Sequence, residues 1–166
     1  MLSDSGKTRH MTTEPDPHTI NAMWRVTDLA WSYLARRPDR VAACLTGLDA
    51  NQLEHVQAWQ VCEHDAVFGD LREPDLEVRD IDAVASLAPA DTELAVMMAV
   101  HKVARGETGL ALALMDLSVA DHIHALAICT TVMLLRAHGQ AEALDQIAAA
   151  AAQYEARGWP RPYAID

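Results

Sequence analysis

The chain is short of the residues that staple, ligate or anchor a protein. Its three cysteines, Cys44, Cys62 and Cys129, are odd in number and contain no CxxC pair, so neither a disulfide framework nor a zinc ribbon fits. A reducing, cytoplasmic setting suits such a chain. The first residues, MLSDSGKTRHMTTEPDPH, lack the apolar run of an export signal, and the uncharged stretch from Ala125 to Leu135 is far shorter than a bilayer requires. Neither export by a standard signal nor a membrane span is expected.

Positive charge is also in deficit. A formal net charge of -11 repels phosphate backbones and anionic lipid faces, which argues against a general nucleic-acid or membrane-surface role. The helix expected after Asp49 opens with Asn51, Gln52 and Glu54 and offers no basic side chain before Arg72, a poor recognition helix. Catalytic signatures are missing as well. There is no GxSxG elbow, and Gly6, Lys7 and Thr8 lack the upstream glycine and strand of a phosphate loop. No cofactor and no enzymatic activity are expected.

What the chain does have is apolar content, 51% of 166 residues, enough for one domain with its own core. The run from Ser118 to Gly139 is apolar on all sides, with Ser118 and Asp121 placed as a capping box and Gly139 as a stop. Roughly 20 residues at about 1.5 Å each make a rod of about 30 Å, a central helix (118–138) for others to wrap. Helical spacing of apolar residues also marks His18 to Arg36, a short helix from Asp39, a helix capped by Asp49 and Gln52, one from Thr92 to Arg105, a short one from Leu110, and an alanine-rich one from Gln140 to Arg157. The fold class is therefore all-α: a single-domain bundle of six or seven helices.

Residues 1–17 read as a disordered tail and 18–166 as the helical domain. An acidic connector, 73–91, is expected to lie over the surface, where a basic protein partner would dock; the stretch from Glu73 to Glu93 holds more than half of the net negative charge. At a fixed offset of 69 residues, Ala30/Ala99, Leu45/Leu114, His55/His124 and other pairs are identical, and Asp49 corresponds to Ser118 as a cap. That pattern suggests two related three-helix halves, 18–72 and 92–139, facing each other about a pseudo-twofold axis, followed by a C-terminal helix and tail, 140–166.

Two readings of function come from these residues. The favoured one is a non-enzymatic protein–protein interaction or regulatory protein, a homodimer joined through Trp24 and Trp31, which lie seven residues apart on helix one and so on one face. The alternative is a metal- or small-ligand-binding bundle. Asp121 and His124 at i, i+3 can chelate one ion, and a twofold axis would bring His55 to join them.

Overall fold

The computed structural model describes residues 14–164; of the tail expected at 1–17, residues 1–13 lie outside them. The seven helices among the described residues, with no strand, form an all-α bundle.

Its centre is α7, Val119–Ala156, a helix broken at Gly139. The Ser118 hydroxyl accepts from the Asp121 amide at 3.1 Å and donates to the Asp121 carboxylate at 2.7 Å, so the first turn is closed by two side chains. Every residue from Ile123 to Leu134 is buried, on all sides of the helix. Each large apolar side chain so enclosed contributes about 1.5–3 kcal/mol. Length and composition alone would let Val119–Ala156 cross a membrane, yet 67% of its apolar window is inside the bundle, where packing already accounts for it.

Against α7 pack α1, Pro17–Leu34, and α3, Ala50–Asp70, which also pack on each other. Asp16 caps α1 by accepting from the amides of His18 and Thr19, and Pro17 supplies a first residue that needs no amide partner. The Asp49–Gln52 capping box opens α3 as the sequence leads one to expect. Between them, Arg36 adopts φ 56°, and the amides of Arg36 and Arg37 return to the carbonyls of Tyr33 and Ser32. This C-terminal turn folds the chain back, and Pro38 starts α2, Pro38–Ala43, at once.

The acidic connector is not a surface strap. Within it lies α4, Val78–Ala85, and Ile81, Val84, Ala85 and Leu87 are buried in the main core. Arg136 of α7 ties the segment down by donating to the Asp75 carbonyl at 3.0 Å and to Glu77 at 3.2 Å. Helices α5, Ala90–Ala104, and α6, Leu110–Met115, complete the other side. The order long, short, long does recur in 17–70 and 90–138, but the surroundings differ: α1 packs on α2, α3 and α7, whereas α5 packs on α4, α6 and α7.

Gly139 turns the architecture toward function. Its φ of 76° and ψ of 169° fall in a region that only glycine enters without strain, although a methyl group there would meet no atom within 4 Å. Backbone freedom, not space, is what the position demands. Beyond it Gln140 donates to the Leu34 carbonyl at the end of α1, and Tyr154 meets Trp24 edge-on midway along that helix. The second arm of α7, 140–156, therefore runs back antiparallel to α1. Gly158, at φ 79°, ends it, and the segment 159–164 doubles back once more along α1.

Candidate functional site

The three residues expected to gather around a metal do not meet. His55 stacks on His18 at the start of α1, with ring centroids 5.3 Å apart, and its Nδ1 donates to the Asn51 carbonyl. His124 instead faces Tyr33 at the end of α1, Nδ1 lying 2.8 Å from the hydroxyl. Fifteen residues of α1 separate those two neighbours, about 22 Å along a helix. Asp121 accepts from Thr92 and Ser118. Among the described residues no three His, Cys, Asp or Glu side chains are grouped to hold a metal. Burial pushes the His124 imidazole down to about 4, opposed weakly by the Asp121 carboxylate. The same burial pushes the Tyr33 phenol far above its ordinary range. Both rings are therefore neutral at pH 7 and share one hydrogen bond between the Tyr33 hydroxyl and Nδ1.

Trp24 is likewise not where an interface would need it. It is 0% exposed. Its Nε1 donates to the Trp159 carbonyl at 2.9 Å, Tyr154 packs on its edge, and the Arg161 guanidinium lies 4.4 Å from its ring centroid. The apolar arc of α1 that an interface would have used is covered by the chain's own C-terminal segment. Trp31, half-buried, carries the Arg40 guanidinium 4.9 Å from its ring centroid.

Where these elements converge they leave a cleft of about 480 Å³. One wall is α1, through Arg25, Asp28, Trp31 and Ser32; the reversal at Arg36 and Pro38 brings Arg40 and Cys44 of α2 alongside; Ile147, Ala148, Ala151 and Ala152 of the returning arm form the floor; Arg161 and Tyr163 form the roof. Asp28 organises the roof. It is only 7% exposed, and a buried carboxylate needs partners. Arg161 supplies two, at 3.1 and 2.8 Å, and the Tyr163 hydroxyl donates a third hydrogen bond at 2.6 Å. Burial, with the adjoining Asp28 charge, holds the Tyr163 phenol well above its ordinary range, so it stays a donor.

The other two arginines are held but not neutralised. Arg25 donates to the Cys44 carbonyl at 2.9 Å and lies flat over Tyr163, 3.5 Å from the ring centroid. Burial raises the Cys44 thiol and the Asp28 charge adds to the rise, while the Ser32 hydroxyl and the charges of Arg25 and Arg40 pull it down. The Nε of Arg25 and that of Arg40 are buried without a hydrogen-bond partner among the described residues.

Neither Asp28, Arg25, Arg40, Arg161 nor Tyr163 stands out in the sequence. The available signal was a carboxylate, Asp28, set between Thr27 and Leu29 on an otherwise apolar face, which calls for a distant cation. The chain matches no protein-family model, no curated protein and no solved structure. Its chemistry is read from the cleft itself.

Proposed function

We propose that the protein binds a small organic molecule in the cleft between α1, α2, the returning arm of α7 and the C-terminal segment. The observation that carries this reading is a concavity of about 480 Å³ in which the side chains of Arg25, Arg40 and Arg161 stand beside an apolar floor. That volume lies in the range of small-molecule sites, about 300–1,000 Å³, which combine an apolar lining with a few convergent polar groups. Binding, not turnover, is what these groups support. Of the two readings open in the sequence, small-ligand binding thus takes the lead, with the cleft in place of the histidines.

Interaction with another protein keeps one observation of its own. Leu94, Met98, Leu112 and Met115 on α5 and α6 are each more than half exposed, and large apolar side chains left at a surface favour association. Trp24, in contrast, has nothing left to offer a second copy.

The cleft reading is tested by scanning fluorimetry of the wild type and Ala148→Trp against a library of metabolite-sized acids, alcohols and amines. Ala148 is exposed on the floor, so a tryptophan there fills the cleft without disturbing the core. A ligand present at 100 times its Kd stabilises by about 2.7 kcal/mol, which is a shift of several degrees. We expect such shifts in the wild type and their loss in Ala148→Trp. Equal responses of the two proteins across the library would overturn the assignment.

A further inference from the structure

Resting on that cleft, we propose that its ligand is an organic carboxylate with a flat apolar body. The charges around the cleft give the sign. In a protein of net charge -11, three arginines line this one concavity. Arg161 is spent on Asp28, and the nearby Asp39 is spent on Arg37, 2.8 Å away. Glu155, at the rim, is exposed. Arg25 and Arg40 line the same cleft with no carboxylate ion pair among the described residues. Two like charges held together without a counter-ion make a site that an anion relieves.

The geometry gives the shape of that anion. Each guanidinium is fixed on an aromatic ring, Arg25 over Tyr163 and Arg40 over Trp31, so little side-chain freedom remains to be lost on binding. The planar fork of a guanidinium matches the two oxygens of a carboxylate, which an alcohol with its single oxygen cannot reproduce. Beside this cationic end the floor carries only Ile147 and the methyl groups of Ala148, Ala151 and Ala152. Side chains that small leave a broad, shallow apolar surface beneath the space, which suits a planar hydrocarbon better than a sugar or a peptide.

Isothermal titration of the full chain with a matched set, 2-naphthoate, 2-naphthylmethanol and 2-naphthylmethylamine, tests the inference, with alkylation of Cys44 as a marker of the cleft. Cys44 lines the site and Cys62 is exposed outside it, so Cys62 serves as an internal control. We expect the carboxylate to bind about tenfold or more tighter than the alcohol, the size of effect that charge-assisted hydrogen bonds supply, and the amine to bind weakest. Naphthoate should slow Cys44 alkylation and leave Cys62 unchanged. In Arg40→Gln the preference for the acid over the alcohol should fall to a few-fold; Arg40→Lys, which keeps the charge and loses the fork, should fall between. Unchanged far-ultraviolet circular dichroism and an unchanged Cys62 alkylation rate show that each variant has folded. An alcohol bound as tightly as the acid would overturn the carboxylate and leave the cleft standing. If none of the three compounds slows Cys44 alkylation, the cleft itself is not a site and both readings fall.

Discussion

Replacing Trp24 by alanine is expected to cost about 3–5 kcal/mol of stability, the range for removing a fully enclosed large aromatic. The side chain has no exposed surface, and its indole N–H is the hydrogen bond that holds the Trp159 carbonyl. Its faces and edges are taken by Arg161 and Tyr154. Truncation thus empties a packed site and unfastens the C-terminal segment at the same moment. Urea unfolding followed by far-ultraviolet circular dichroism measures the first consequence. A tryptophan placed at a subunit interface would behave differently, with its replacement dissociating a dimer while the helices melt as before. A loss under about 1 kcal/mol would show that Trp24 is not the anchor described here.

The second large effect is a dependence of stability on pH, set by His124. Its folded-state pKa is lowered from 6.5 to about 4 because the ring is buried. Below pH 6.5 the unfolded chain takes up a proton that the folded chain refuses, so stability is fully present above that value and is lost as the pH falls toward 4. A shift of this size corresponds to roughly 3 kcal/mol. His122 adds a smaller contribution of the same sign, since partial burial lowers it too. His124→Gln isolates the larger one. Urea midpoints at pH 7 and pH 4.5 should converge in the variant relative to the wild type, because glutamine has no proton to gain. If both proteins lose the same stability between those two values, the buried neutral imidazole on Tyr33 is not the cause.

Features encoded locally were legible in the chain. Ser118 with Asp121, Asp49 with Gln52, and the stop at Gly139 are decided by neighbours within one helical turn, and the unbroken burial from Ile123 to Leu134 follows from a segment with no polar face. The acidic connector reads as a surface segment because charge dominates its composition, yet Ile81, Val84, Ala85 and Leu87 have the spacing of a helix with one apolar stripe and are buried. Matching caps at an offset of 69 residues say how each helix begins, not how it crosses its neighbours; hence His55 and His124 ended at opposite ends of α1. The cleft was hidden for a different reason. Asp28 meets Arg161 and Tyr163 across more than 130 residues, and a run of alanines reads as a seam for close packing when it is in fact the floor of an open space. No local pattern carries either fact.

Alkylation kinetics of the three cysteines test the central claim most directly, which is that the C-terminal segment folds along α1 and closes a cleft over Cys44. In the wild type, Cys62 should react fast, Cys44 slowly and Cys129 only on unfolding, following their exposed, cleft-lining and fully enclosed positions. A chain ending at Gly158 should speed Cys44 by about tenfold or more, since local opening would no longer be needed, with Cys62 unchanged. A Cys44 rate that is the same with and without residues 159–166 would contradict the account.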